Sequence, residues 1–215
     1  MKIDMHVHTS GSFDCLNDPH AVVERAIARG MDRICVTDHN EIAVAQELQR
    51  TWPDRVIVGE EVKTAERVDV IGLFLSERIP KGTPARETCE RIRGQGGIVY
   101  IPHPFAGGKG AGGAILDRIE DLIDAFEGFN ARIHDAALNH RAVAWAHERH
   151  VPLGAGSDAH TLREVGRAWA EVPPFDGARD FTAALRRGTI HGAASSRAVH
   201  LASGWAKAHK WLRRS

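Results

Sequence analysis

The sequence predicts an α/β fold, a distorted (β/α)7 barrel of TIM-like type, as a single domain over residues 1–215. Three observations lead there. Apolar runs of about four to six residues alternate with helical stretches of about ten, the pattern of βα units with a parallel sheet. Six or seven such units follow one another with no edge pattern, which favours a barrel over an open sheet. The chain has 215 residues, short of the roughly 250 that eight complete units need.

Residues 3–7 are mostly apolar and suit a buried parallel strand. After a polar loop over 9–17, Asp18-Pro19 reads as an N-cap followed by proline at the first helical position, with Gly30 closing that helix. Residues 33–37 form a second strand ending in Asp38-His39, and a helix over about 41–50 stops before Pro53. Strands at 56–58 and 68–75 follow, the first ending in Gly59-Glu60-Glu61 and the second carrying Asp69 near its start. A helix over 83–93 gives way to Gly94, Gly96 and Gly97, and a buried strand at 98–101 runs into Pro102-His103-Pro104. Further helices are expected over 115–124, 136–150 and 181–187, and strands over 125–130, 151–155 and 168–172. Residues 189–191 are extended, and a last amphipathic helix fills the C-terminal segment, 199–215.

Lys plus Arg equals Asp plus Glu, 28 each, so no global basic field points to a stable nucleic-acid partner. The three cysteines are odd in number and widely spaced, against a disulfide framework. The first residues carry Asp4 and His6 and lack the apolar core of a signal peptide. No apolar run reaches the ~20 residues of a membrane span. A cytoplasmic protein is expected. The unusual figure is 13 histidines, and their placement decides the reading.

His6 and His8 lie two apart on a strand, where side chains share a face, so both imidazoles can reach one point. His39, Glu61, His103, Asp158 and His160 occupy four later strand ends, the edge on which barrel active sites are built. His20, His134, His140, His147, His150 and His209 fall on helices or in loops and read as surface residues. With Asp14 and Asp69, the donors number nine: His6, His8, Asp14, His39, Glu61, Asp69, His103, Asp158 and His160. All are N or O donors. They suit two or three divalent ions sharing a carboxylate, with Glu61 the candidate bridge. Such clusters drive hydrolysis by a metal-bridging hydroxide, and phosphate esters are the substrates they best serve.

The segments His6-Val-His8-Thr-Ser…Asp14, Thr37-Asp38-His39, Gly59-Glu60-Glu61-Val62, Ile101-Pro-His103-Pro-Phe and Gly156-Ser-Asp158-Ala-His160 resemble, in order, the motifs of the polymerase and histidinol phosphatase (PHP) family. The resemblance spans residues 4–160. It implies a distorted (β/α)7 barrel holding a trinuclear Zn, Mn or Fe site that hydrolyses phosphoesters. By position, His6, His8, Glu61 and Asp158 would hold one ion; Glu61, His103 and residue 69 a second; Asp14, His39 and His160 a third. Glu61, His103 and Asp158 are expected to carry the catalysis. Many relatives have His where this chain has Asp69, a harder and shorter ligand that must be weighed against a plain surface carboxylate. Asp38 is expected to orient an imidazole rather than bind metal, and Glu60 to face away from the site.

Arg132, just past the strand at 125–130, is the leading candidate for forking onto a phosphate, with Lys63 and Arg197 as further options. The run Gly108-Lys-Gly110-Ala-Gly112-Gly113 matches a dinucleotide fingerprint but lies beyond His103-Pro104-Phe105 rather than at a strand–helix turn, and reads as a loop beside the mouth. In the last helix Leu201, Trp205, Ala208 and Leu212 form one stripe, expected to dock on the barrel, opposite Lys207, Lys210, Arg213 and Arg214. Two rivals remain: an amidohydrolase-type C–N hydrolase, and a non-catalytic metal-binding regulatory module. The paired Asp158 and His160, Asp14 and Glu61 speak against the first, and the complete ligand set against the second. The expected partner is a small phosphorylated substrate or a short oligonucleotide.

Overall fold

The computed structural model describes residues 1–107, 110 and 112–212. β1 (Lys2–Val7), β2 (Arg33–Val36) and β3 (Val56–Lys63) run parallel, joined by crossover helices α1 (Pro19–Ala28) and α2 (Ala43–Thr51). Asp18 caps α1 as the sequence suggests, its side chain accepting from the Ala21 N–H at 2.9 Å. β4 (Asp69–Leu73) departs from the expected run of parallel units. It pairs antiparallel with β3 and with β5 (Ile98–Ile101). Residues 64–68 are too few for a crossover, which takes a dozen or more, so β3 and β4 close as a hairpin.

After α3 (Ala85–Gly94) the parallel pattern resumes through β5, β6 (Ala125–Asn130) and β7 (Leu153–Gly156). α4 (Gly112–Ile119), a short 3-10 turn (Glu120–Leu122) and α5 (Ala136–Glu148) supply these connections. Past the end of β7 the chain meets β1 again: Val7 bridges Ala159, and the His8 N–H donates to the Ala159 carbonyl at 3.0 Å. Seven strands thus curl into a nearly closed barrel. β8 (Ala168–Glu171) pairs antiparallel with the first residues of β1, and β9 (Thr189–Gly192) pairs with β8. α6 (Ala178–Leu185) and α7 (Val199–Leu212) complete the chain. No helix among the described residues is long and apolar enough to cross a membrane.

The core has two layers. Ile3, Met5, Cys35, Ile57, Ile71 and Tyr100 fill the barrel interior, plugged by Phe175 and Phe181 from the α6 region. Val7, Val36, Val58, Ile92, Leu116 and Phe126 pack between the sheet and the helices. Strict alternation would place His6 and His8 opposite Ile3 and Met5. A register irregularity between Asp4 and Val7 shifts the face, so that both histidines follow Met5 inward.

The last helix overturns one expectation. Leu201, Trp205, Ala208 and Leu212 are exposed, and the buried residues are Ser203 and Ala206. The face that docks is held by polar bonds. Arg132 Nη2 donates to Ser203 Oγ at 2.9 Å and to the Val199 carbonyl at 3.2 Å, and Lys210 Nζ reaches the Ser10 and Ser12 carbonyls. Small side chains let the helix approach closely enough for those bonds. Arg213 and Arg214, like Gly108, Lys109 and Ala111 of the glycine-rich run, lie outside the described residues.

Close packing behind the strand ends gives a test. A Cβ on Gly156 would collide with the His6 Cβ and come within 2.6 Å of Glu127 Oε1. Gly156→Ala is expected to cost about 1–3 kcal/mol, the usual range for overpacking. Urea denaturation reads it as a lowered midpoint, and an unchanged midpoint would mean that β7 and β1 are not so tightly apposed.

Candidate metal centre

The strand ends bring eight of the nine predicted donors to one buried cluster. Glu61, from β3, stands in the middle. Its Oε1 is 2.9 Å from His103 Nε2; its Oε2 is 2.9 Å from His39 Nδ1, 3.4 Å from His8 Nε2 and 3.5 Å from His6 Nε2. Asp158 Oδ1 lies 3.4 Å from His8 Nε2 and 3.7 Å from His6 Nε2. Asp14 Oδ1, from the loop after β1, lies 3.3 Å from His160 Nε2 and 3.6 Å from His39 Nε2. Three sets of donor atoms each fall within 4.8 Å of one another: His8, His39 and His160; His6, His8 and Asp158; His6, Glu61 and His103.

Hydrogen bonds behind the cluster set the orientation of three of its rings. Asp38 accepts from the Thr9 amide and hydroxyl and from the Ser12 amide and hydroxyl. Because Ser12 Oγ gives its proton to Asp38, it can only accept from His8 Nδ1, at 2.9 Å, which leaves His8 Nε2 as a lone pair facing the cluster. Asp38 therefore orients an imidazole as expected, with Ser12 as the relay. Glu127 Oε1 takes His6 Nδ1 at 3.1 Å, and His160 Nδ1 reaches the Asp158 carbonyl at 2.8 Å. In all three rings Nδ1 faces outward to an acceptor and Nε2 faces inward, the arrangement a metal-ligating imidazole takes. Glu60 faces away, its Oε2 accepting from the Ile79 N–H at 2.8 Å.

Charge is compensated inside the cluster. Despite the opposing effect of burial, the carboxylates Asp158, Glu127 and Glu61 hold His6 well above the usual histidine range. Glu61 and Asp14 likewise raise His39 to about 10 against its burial. His8 is pushed well below its ordinary value by burial and by the neighbouring His160 and His39. His6 Nε2 can then donate to the His8 lone pair, 3.0 Å away. Glu61 Oε2 and Asp14 Oδ1 are buried without a hydrogen bond although imidazole nitrogens surround them. That donor set, free of thiolate, fits divalent Mn, Zn or Fe. Cys15 is nearby, but its thiol points to the His8 and His160 carbonyls and burial pushes it up to about 12.

His103 and Asp158 stand two residues past the ends of β5 and β7 with φ of +31° and +52°, backbone that non-glycine residues rarely adopt. The His103 N–H donates to Glu127 Oε2 at 2.6 Å, and the Asp158 N–H to the His6 carbonyl at 2.8 Å, which holds both turns. Glu127 thus supports His6 and His103 together and also accepts from Asn130 Nδ2 at 2.9 Å. Sequence reasoning passed over it. The available signal was a carboxylate within the otherwise apolar run Ala125-Phe126-Glu127-Gly128-Phe129.

Asp69 stands apart from the other eight. It is buried rather than a surface carboxylate, and both its oxygens meet Lys63 Nζ, at 2.7 and 2.8 Å. A cavity of about 500 Å³ opens over the cluster, lined by Asp14, His39, Asp158 and His160 below and by Lys63, Lys81, Arg132 and Lys207 around it. Lys63 lines the cavity with its ammonium on Asp69. Arg132 reaches the cavity but is largely committed to structure, with Nε on Glu164 at 2.7 Å and Nη2 on α7. Arg197 is exposed in the turn before α7 and does not line this cavity, so it is removed from the site. The six histidines read as surface residues all lie outside the cluster.

Comparison with known proteins identifies the family. The PHP domain model matches residues 4–107 and the PHP-associated C-terminal model matches residues 137–190. An uncharacterised protein of Methanocaldococcus jannaschii is 37% identical over 157 residues, 66% of this chain and 90% of its own length. A two-domain protein of Bacteroides vulgatus containing a PHP-like metal-dependent phosphoesterase superimposes with a TM-score of 0.70 at 19% identity, over 90% of this chain and 65% of that one. The lesion-specific endonuclease Q of Pyrococcus furiosus gives a TM-score of 0.67 at 18% identity, over 88% of this chain and 57% of that one. At such identities the structural likeness speaks for the fold alone.

The protons on His6 and His39 make metal binding pH-dependent. Both groups titrate above their ordinary range in the metal-free protein and must become neutral to ligate. At pH 7, Mn²⁺ binding is expected to release about two protons, and affinity is expected to rise with pH toward 10. Calorimetry in two buffers of different ionisation enthalpy measures the release. Zero release would show that the imidazoles are already neutral.

Proposed function

The chain belongs to the PHP-domain family, and from that premise we propose that it is a divalent-metal-dependent phosphoesterase. The observation that carries this reading is Glu61, one buried carboxylate with four imidazole nitrogens, from three chain segments, within 3.5 Å of its two oxygens. Glu61 would join two ions. His6, His8 and Asp158 would complete the set on one side, His103 would lie on the other, and Asp14, His39 and His160 would hold a third ion. Bound there, Mn, Zn or Fe supplies an activated water and neutralises charge on the departing oxygen.

The chain's own residues do the rest. Glu127 holds the His6 ring and Ser12, fixed by Asp38, holds the His8 ring, so that little reorganisation of these two is needed when substrate arrives. The chain has 6 lysines against 22 arginines, and three of the six, Lys63, Lys81 and Lys207, line the cavity over the cluster. In a chain of zero formal net charge, that concentration of cations at one mouth supports an anionic substrate. A nucleotide, a short oligonucleotide or a small phosphomonoester fits the description.

Phosphate or nucleotide release by the purified Mn²⁺-loaded protein tests the proposal. The panel holds nucleoside 3′,5′-bisphosphates, short RNA and DNA oligonucleotides, histidinol phosphate and a chromogenic phosphomonoester. Turnover of at least one member, reduced at least about a hundredfold in His8→Ala, is expected from loss of an inward-facing ligand. A protein that binds Mn²⁺ yet turns over none of them would contradict it in favour of C–N hydrolysis or a silent module.

A further inference from the structure

Asp69 is the one predicted donor that stands outside the cluster, and its surroundings give it a different partner. The β3–β4 hairpin sets Lys63 directly opposite Asp69 in register, so the two side chains leave the same face of the ladder. The ammonium sits between both carboxylate oxygens, 2.7 and 2.8 Å away, with the Arg67 carbonyl at 3.3 Å. Asp69 is only 2% exposed, whereas the lysine side chain keeps 31% of its surface open toward the cavity. Asp69 belongs to none of the three closely spaced donor sets, although Glu61 and His103 beside it form one with His6. The neighbouring His103 ring also turns its Nε2 inward, but it has no acceptor behind it. Its Nε2 is engaged by Glu61 Oε1 at 2.9 Å, and its Nδ1 is buried without a hydrogen bond.

We infer that Asp69 is a positioning residue for Lys63 rather than a metal ligand, and that Lys63 binds the substrate's phosphate at this corner of the mouth. The chemistry favours this division. A carboxylate that already holds an ammonium with both oxygens must break a short ion pair before it can ligate. A lysine whose stem is anchored at one side presents a fixed point charge to a phosphate oxygen instead of a mobile one. The hairpin supplies the rigidity: Lys63 and Asp69 are the last and first residues of two paired strands. The phosphate assignment rests on the phosphoesterase reading above; the statement about Asp69 as a ligand does not.

Two measurements decide it. The number of Mn²⁺ ions bound per chain is counted by elemental analysis after loading, in wild type, Asp69→Asn and the double variant Lys63→Met/Asp69→Asn. The double variant removes both charges together and so leaves neither one buried alone, which guards against loss of the fold. The same count is expected in all three proteins. Loss of one ion in either variant would overturn the inference by making Asp69 a ligand. Binding of inorganic phosphate to the Mn²⁺-loaded protein is then titrated in wild type, Lys63→Met and Lys63→Arg. Lys63→Met is expected to weaken it about tenfold, the effect of one charge-assisted contact, with partial recovery in Lys63→Arg. Equal phosphate affinity in wild type and Lys63→Met would overturn the role of Lys63 while leaving the phosphoesterase reading intact. A wild-type protein that binds no phosphate at all would remove that reading, and the role of Lys63 with it.

Discussion

Everything at the open end of this barrel answers to one buried negative charge. The Glu61 carboxylate is almost wholly withdrawn from solvent, and an isolated ion in such a place is prohibitively expensive. Its surroundings hold it well below the ordinary glutamate range, chiefly through His39 and His6, against the upward push of burial. The consequences spread outward from there. His6 must carry a proton when no ion is present, so it needs Glu127 behind it. His8 must stay neutral to accept from His6, so it needs an acceptor for its outer nitrogen, which Ser12 provides. Ser12 in turn is fixed by Asp38. The outer nitrogens of His6 and His8 are satisfied in this way, while Glu61 Oε2 is met by imidazoles at ion-pair distance without a hydrogen bond.

The barrel accommodates that chain by breaking its own rules locally. The irregularity in β1 turns His6 and His8 toward Glu61, and left-handed backbone at His103 and Asp158 lets those residues bend back over the strand ends. Strain of this sort is kept where the surroundings impose it, and here hydrogen bonds donated to Glu127 and to the β1 backbone impose it on both turns. Asp4 contributes from beneath, accepting from the Ser157 amide and hydroxyl and from the Gly166 amide. Burial raises its pKa to about 6 all the same. The C-terminal helix completes the mouth through Arg132, Lys207 and Lys210 and leaves its tryptophans outside.

Most of this was legible in order along the chain. Strand ends marked by His, Asp or Glu pointed to one rim, and eight of the nine residues so chosen meet there. What stayed hidden depends on pairings that a local pattern does not carry. The antiparallel β4 follows from loop length: the strand expected over 56–58 runs on to Lys63, an extension that local pattern does not announce and that leaves only residues 64–68 before β4. Glu127 looked like one acid in a strand, since its partners His6 and Tyr100 lie far away in sequence. Arg132 was placed correctly near the mouth, but its ties to Glu164 and Ser203 are tertiary. The apolar stripe of α7 misled because periodicity identifies a helical face without saying whether the barrel or the solvent receives it. Arg197 failed for a simpler reason: an arginine in a polar turn has no pattern that distinguishes a ligand from a solvated side chain.

The claim at the centre of this account is that Glu61 joins two ions within one cluster. Electron paramagnetic resonance of the Mn²⁺-loaded protein addresses it without reference to any substrate. Ions bridged by one carboxylate are exchange-coupled, so wild type should give the broadened multiline spectrum of coupled manganese, and Glu61→Gln should revert to the six-line pattern of isolated ions. A six-line spectrum from fully loaded wild-type protein would contradict the bridge and leave Glu61 as an acceptor for its surrounding histidines.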